Sequence, residues 1–283
     1  MGGSNQFATG ALDDVAYLAR SESRVRILDT LTSESYTRKE VEETTEIART
    51  SIDRIIKEFE QRGWVHRSAD GGYRATPTGE QVMAELGPFV ESMAAIRKLG
   101  DLVAWLPRDV VDIDLAHFKD VTIRRPAPAE PTSTTSYLTE LLGDASAFHC
   151  LVGVAPPLAF ERVMRDSVVN GDLETEHVIS AEEYYYLLER TDRLPRWREY
   201  IEAGGNVFLH DGSVPCNLFI FDDTLIIANS QSDIGEPLVG IESTNETVRS
   251  WALDVIREYK RAAKPLGASD FDRVSLNELV DPH

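Results

Sequence analysis

The run ARTSIDRIIKEFEQRGWV, residues 48 to 65, constrains this chain more than any other stretch. Ile52, Ile55, Ile56 and Phe59 recur at the spacing that puts them in one stripe along a helix, and Gly63 is a C-terminal stop. A helix with one apolar stripe needs neighbours to cover it. They are at hand in ALDDVAYLAR (11–20) and SESRVRILDTL (21–31), where Ser21 is placed as an N-cap, and in TRKEVEETTEI (37–47). In the last of these Thr37 and Glu40 make a capping box. Beyond Gly63, WVHRS and YRATP are two short β-prone runs separated by ADGG, which reads as a hairpin.

Three helices and a hairpin in that order predict a winged helix-turn-helix over residues 11–80. The helix stripe leaves Arg49, Thr50, Asp53, Arg54 and Lys57 on the opposite face. A helix of this kind fits the major groove of DNA, where Arg and Ser/Thr near its start reach base edges while other cations take phosphates. Arg49, Thr50, Ser51 and Arg54 are therefore the base-edge candidates, Lys57 and Thr37 the phosphate candidates, and Arg67 and Arg74 flank the wing. The competing reading, a solvated face of an ordinary core helix, does not account for the capped helix before and the hairpin after. Residues 76–106 read as helical with a break at Gly87-Pro88. Val82, Leu86, Phe89, Met93 and Ile96 step by four, three, four, three, so residues 81–119 form a helical linker and a candidate homodimer seam.

Charge sharpens the picture. The 283 residues carry a net charge of -19, but residues 1–98 account for only -3 of it and residues 99–283 for -16. Only six of the 29 cations are lysines, and the acidic residues are spread over the chain. Such a self-repelling surface suits a cytoplasm of very high salt, in which screening is short-ranged, and points to a halophilic archaeal protein. No segment approaches the roughly 18 apolar residues of a membrane span, and MGGSNQFATGALDD has no leader pattern, so a cytoplasmic location with no membrane partner is expected. Cys150 and Cys216 sit in apolar runs at no metal-ligand spacing, which predicts buried thiols, no metal and no cofactor.

From residue 120 to 264, apolar β-type runs alternate with helical ones (AFHCLVGVA, PLAFERVMRDSVV, LETEHVIS, AEEYYYLLER, REYIEAG, NVFLH). Three strands then follow in succession, PCNLFIFD, TLIIANS and EPLVGIE, with Asp222-Asp223 as a tight turn, and a final helix spans 244–263. Alternation followed by a meander predicts an α/β effector domain with a mixed sheet, so the chain is α/β overall. TIRRPAPAEPTST (122–134) is expected to be a surface loop, and the tail 265–283 is acidic and expected to be loosely held.

Residues 21–80, notably EVEETTEIARTSIDRIIKEFEQRGWV followed by YRATPTG, resemble the winged helix-turn-helix of archaeal transcriptional regulators. Residues 120–264 resemble the middle domain of the archaeal methanogenesis regulatory protein family, DNA-binding regulators widespread in haloarchaea. The resemblance implies a sequence-specific regulator with double-stranded DNA as partner, acting as a homodimer, with a second domain that senses a small molecule or mediates assembly. Two residues depart from the pattern: Glu46 stands where such turns have Gly, and Ala48 where they have a Ser or Thr N-cap, which predicts a wider turn and a frayed helix start.

Similar effector domains are related in fold to phospholipase D, whose motif is HxKxxxxD; here His117 and Lys119 are present but Arg124 stands in place of the carboxylate. No other hydrolase, metalloprotease or nucleotide-binding motif occurs, so a non-enzyme is expected, with an enzyme docked by its winged helix or a pure protein-interaction module as the alternatives. Gly153 in VGVAPP is placed to offer a backbone N–H to an anion. Arg124, Arg125, His149, Tyr185, Asn217 and Asn229 are polar residues within or beside apolar segments and are the candidates for lining an effector pocket.

Overall fold

The structure, a computed structural model, describes residues 9–154, 156–229 and 238–272. The chain divides into two compact units, Met1–Val90 and Glu91–His283. In the first, α1 (Thr9–Ala19), α2 (Glu22–Ser33), α3 (Arg38–Thr45) and α4 (Arg49–Gln61) are followed by a two-stranded wing, β1 (Val65–Arg67) and β2 (Tyr73–Ala75), and by α5 (Pro77–Leu99). The stripe Ile52, Ile55, Ile56 and Phe59 is fully buried against Leu18, Ile27, Leu28, Leu31, Val41, Trp64 and Tyr73. Each such side chain contributes about 1.5–3 kcal/mol by leaving water, so the stripe alone determines which face of α4 turns outward. Gly79 lets α5 start close under the wing, since a Cβ there would lie 2.0 Å from the Trp64 carbonyl oxygen.

The turn between α3 and α4 is tight. Glu46 adopts the left-handed conformation (φ 56°) that glycine takes without steric cost, and its N–H donates to the Glu42 carbonyl at 2.9 Å. A wider turn was expected from the missing glycine, but the hydrogen bond and the packing on either side impose the geometry. At Ala48 no side chain caps the first turn of α4, although its backbone hydrogen bonds are formed, with Ser51 N–H donating to the Ala48 carbonyl at 2.8 Å. Glu46→Gly and Ala48→Ser are each expected to stabilise the first unit by about 1 kcal/mol, read as an upward shift of its calorimetric transition. A drop for Glu46→Gly would show that its side chain makes a contact more valuable than the strain it relieves.

The helix α5 runs through Gly87-Pro88 without the expected break. Gly87 has no Cβ to clash with the proline ring, and Pro88 removes a single hydrogen bond at an exposed position.

In the second unit, β3 (Thr122–Arg124), α6 (Ser133–Asp144), β4 (Ala147–Val152), α7 (Leu158–Val169), β5 (Glu174–Ser180), α8 (Ala181–Glu189), α9 (Leu194–Glu202) and β6 (Asn206–His210) precede a meander. The meander is β7 (Cys216–Phe221), β8 (Thr224–Asn229) and β9 (Gly240–Ser243), after which come α10 (Glu246–Arg261) and β10 (Lys264–Leu266). They build a mixed sheet in the order β10-β6-β5-β4-β7-β8-β9-β3, in which β4, β5 and β6 pair in parallel and all other neighbours are antiparallel. Every residue of β7 is buried, as a central strand covered on both faces requires. One face packs Leu151, Leu218, Ile220 and Ile227 on α10, and the other packs Phe148, Cys150, Phe219 and Phe221 on α6, α7 and α9.

Two segments correct the reading from sequence. Residues 122–124, expected as loop, form the edge strand β3 on β9, and residues 264–266, expected as loose tail, pair with β6 as the opposite edge. Three-residue edge strands carry too little periodicity to be seen, and Pro265 is tolerated because an edge leaves its missing donor unneeded. The tail continues into a 3-10 turn whose Phe271 is buried and stacked on Trp197, with centroids 5.6 Å apart. Residues 273–283 of that tail, and the first two residues of EPLVGIE, lie outside the described residues. Asp222, at φ 46°, makes the expected tight turn between β7 and β8, and its carboxylate accepts from the N–H groups of Ser146 and Ala147. Both cysteines are buried and free, in line with their apolar runs.

Candidate functional site

Because the apolar stripe of α4 is sealed inside, Arg49, Thr50, Arg54 and Lys57 stand exposed on its outer face, with Ser51 half-buried at its edge. The wing is positioned by pairing: Val65 faces Ala75, His66 faces Arg74 and Arg67 faces Tyr73, while Tyr36 adds a further, isolated bridge to Tyr73. Its turn is pinned by Asp70, whose Oδ1 accepts from Ser35 Oγ and from Gly72 N–H, both at 3.0 Å. Those donations hold the Asp70 carboxyl below its usual range, the Gly72 N–H contributing most. Gly72 must be glycine there, because a Cβ would come within 2.4 Å of Ser35 Oγ.

Thr37 caps α3 as its spacing indicates: its Oγ1 accepts from Glu40 N–H at 3.3 Å and donates to Glu40 Oε2 at 2.8 Å. Among the described residues Arg49, Lys57 and Arg67 have no ion-pair partner. Arg74 lies 3.9 Å from Glu80, and Arg54 lies 3.2 Å from Glu58 one turn along the same helix. Reading the sequence missed Arg38, which bonds Asp53 of α4 at 2.6 Å and lies 4.8 Å from the Tyr73 ring centroid. It also missed Glu58, treated below. The contact of Arg38 with Asp53 and those of Tyr17 and Arg24 with Glu58 have no local signal, since each partner is brought in by the crossing of helices, whereas Arg54 and Glu58 stand four apart on one helix.

The six candidates for an effector pocket do not converge. Arg124, on the edge strand β3, is bonded through both ends of its guanidinium to Glu242 and lies 3.6 Å over the Tyr137 ring, with Arg125 exposed beside it. His149 is in the middle of β4, opposite Ile220 and Glu176, and Tyr185 is exposed on α8. Only Asn217 and Asn229 meet. Asn217 Nδ2 donates to the Asn229 carbonyl at 2.7 Å, and its Oδ1 accepts from Gly153 N–H at 2.8 Å, so the donor expected to await an anion already has a partner. The half-motif of His117 and Lys119 lies at a 3-10 turn, with Lys119 bonded to Glu91 at 2.5 Å.

The second unit instead buries charge where no motif announces it. Glu161 on α7 accepts from Arg193 Nη1 and Trp197 Nε1, each at 3.0 Å, with Arg196 at 3.5 Å from its other oxygen. Burial raises its carboxyl, while Trp197 and the two guanidinium groups pull it down. Glu183 is buried on α8, and neither carboxyl oxygen has a partner among the described residues. Burial, reinforced by the Glu161 charge, pushes it well above the usual carboxylate range. His177 is buried against Phe148 and Trp197, and burial pushes it down to about 3. These signs oppose each other. His177 costs stability as pH falls below about 6.5, and Glu183, protonated in the fold but ionised when unfolded, costs stability as pH rises above 4.5. The isosteric, non-titrating Glu183→Gln is therefore expected to stabilise the protein, by an amount that grows from pH 5 to pH 8 in denaturant melts. A constant difference would show that Glu183 ionises inside the fold.

Residues 12–98 match the model of the HVO_A0261 N-terminal domain, and residues 131–262 match the middle domain of the methanogenesis regulatory protein FilR1. The chain thus carries an HVO_A0261 N-terminal domain and a FilR1 middle domain, the domains of an archaeal transcriptional regulator. The two matched segments cover the winged unit with α5, and the sheet from α6 to α10. Among solved structures, TrmBL2, described as an archaeal chromatin protein with a novel mode of DNA binding, is 14% identical, with 90% of this chain and 99% of that chain covered at a TM-score of 0.41. Nuc, a phospholipase D family member from Salmonella typhimurium, is 11% identical, covering 52% of this chain and 99% of its own at 0.40. An IclR-family putative regulator from Rhodococcus sp. is 15% identical, covering 96% and 99% at 0.21. No curated protein matches the chain. No helix among the described residues is long and apolar enough to cross a membrane.

Proposed function

We propose that this regulator binds double-stranded DNA sequence-specifically as a homodimer, placing α4 in the major groove, while the second unit serves as an effector or assembly domain. The observation that carries this reading is the outer face of α4, where Arg49, Thr50, Arg54 and Lys57 stand exposed opposite a fully buried stripe. Residues 1–98, which hold the winged unit, are also largely spared the acidity of the rest, at net -3 of -19. Of the seam expected on α5, Leu86 is buried and Val82 packs against the winged unit's own core, but Phe89, Met93 and Ile96 are 55, 48 and 36% exposed, with Val90 beside them at 47%, and these support pairing. Apolar side chains at helical spacing that stay in water are characteristic of a helix that pairs.

Selection of duplexes from a random-sequence pool by the full chain in molar KCl tests the reading; recovery of a two-fold symmetric consensus is expected. No enrichment would sink it. The acidic surface also sets the salt response. Three unpaired cations, Arg49, Lys57 and Arg67, face outward from α4 and the wing. If Lys57 and Arg67 each meet one phosphate while Arg49 reads a base edge, log affinity against log KCl falls with a slope of about -2 per protomer, from roughly 0.9 released ions per contact. A slope of about -5 per protomer or steeper would mean that phosphates, not bases, dominate binding.

A further inference from the structure

Arg54 does not leave α4 freely. Its Nη1 is 3.2 Å from Glu58 Oε1, and Glu58 is itself held from two other helices. Tyr17 of α1 donates its hydroxyl to Glu58 Oε2, and Arg24 of α2 approaches the same oxygen at 3.9 Å. Arg24 is fixed in turn, with Nη1 donating to the Tyr17 carbonyl at 2.6 Å and its guanidinium 3.9 Å over the Tyr17 ring. The Tyr17 ring packs edge-on against Phe59 and Trp64, with Arg62 at 4.2 Å, so the hydroxyl has little freedom to move. Burial first, and the bond to Glu58 next, raise the Tyr17 hydroxyl to about 12, which keeps it a donor at any physiological pH.

A carboxylate beside a base-reading arginine opposes a polyanion, so its presence asks for a compensating role. We propose that Glu58 is a positioning residue that sets the direction in which Arg54 leaves the recognition helix, with Tyr17 holding Glu58 in place. An arginine carries several freely rotating bonds, and bidentate reading of a guanine edge demands one orientation of its planar fork. Anchoring Nη1 to Glu58 leaves Nη2 and Nε, the two donors of one edge of the fork, free to face the groove and removes rotamers that would have to be lost on binding. Removing Glu58 is then expected to do two opposite things: raise affinity for any duplex, by deleting a negative charge, and lower discrimination at the base pair that Arg54 reads. A merely structural or merely repulsive carboxylate does not produce that combination.

The inference rests on DNA binding by α4, and the test separates the two. The full chain and the variants Arg54→Ala, Glu58→Ala and Tyr17→Phe are each put through selection on a random-sequence duplex pool in molar KCl, and base preference is read position by position. Loss of about 2- to 3-fold in preference by Glu58→Ala and Tyr17→Phe, at the same positions that Arg54→Ala loses and nowhere else, is the expected result. The double variant Glu58→Ala/Arg54→Ala is expected to lose no more there than Arg54→Ala alone. Preference retained by Glu58→Ala and Tyr17→Phe at those positions, or lost elsewhere instead, overturns the positioning role, as does an Arg54→Ala variant with unchanged preference. If Glu58→Ala does not fold, Tyr17→Phe alone decides by the same criterion. A wild-type protein that enriches no sequence refutes the functional reading itself, a different outcome from enrichment that ignores Glu58.

Discussion

Arg54→Ala is expected to lower affinity for the selected duplex by about 10- to 100-fold while leaving thermal unfolding within the error of the wild type. The range follows from the worth of one good base-edge contact, about 1–3 kcal/mol. The absence of a stability effect follows from the structure. The Arg54 side chain is 56% exposed, and its ion pair with Glu58 spans one turn of a helix surface, an arrangement worth only a few tenths of a kcal/mol. Ile52, Ile55, Ile56 and Phe59, which hold the helix, lie on the opposite side. The comparison with Lys57→Ala is informative, because Lys57 is exposed and without an ion-pair partner among the described residues. As a phosphate contact it is expected to weaken all duplexes alike and to flatten the salt slope by about 1. Equal loss of melting temperature and affinity in Arg54→Ala would show the residue to be structural.

The largest expected effect on stability lies in the second unit. Glu161→Ala is expected to cost about 3–5 kcal/mol, because it removes the carboxylate from between two guanidinium groups that cannot reach bulk water freely. Arg193 and Arg196 are only 14 and 20% exposed, and Glu161 is 1% exposed. The indole N–H of Trp197 loses its acceptor at the same time. In a unit of this size the loss corresponds to a fall in melting temperature of roughly 6–20 °C. Glu161→Gln, which keeps shape and one acceptor, is expected to lose distinctly less. A loss below about 1 kcal/mol in the alanine variant, measured in molar KCl, would mean that water already serves these groups. Glu161 and Glu183 thus differ although both are buried carboxyls: the first has partners to lose, and the second has none, so that neutralising it is expected to help.

The winged unit was readable from sequence almost throughout because its determinants are local. The capping box of Thr37 and Glu40, the stripe on α4, the Gly63 exit and the ADGG turn each act within a few residues. The meander of β7 to β9 and the helix α10 were readable for the same reason, since apolar runs bounded by Asp222-Asp223 and a helical run over 244–263 need no distant partner to be recognised. The candidate interface was legible as a set of residues on one helix face. What the residues bond was not.

The sequence by itself determined the order of elements, the outward face of α4 and the uneven charge, all of which follow from side-chain periodicity and composition along a continuous stretch. Only the tertiary structure decided that β3 and β10 become edge strands, that Glu46 is forced into a left-handed turn, that Arg38 meets Asp53, and that Tyr17 and Arg24 converge on Glu58. It alone decided that Glu161, Glu183 and His177 are buried while Arg124 is engaged by Glu242. The reason is the same in each case: these contacts join segments that are brought together by chain reversal, and neither a three-residue strand nor a lone charged side chain carries a periodicity that says where its partner will return.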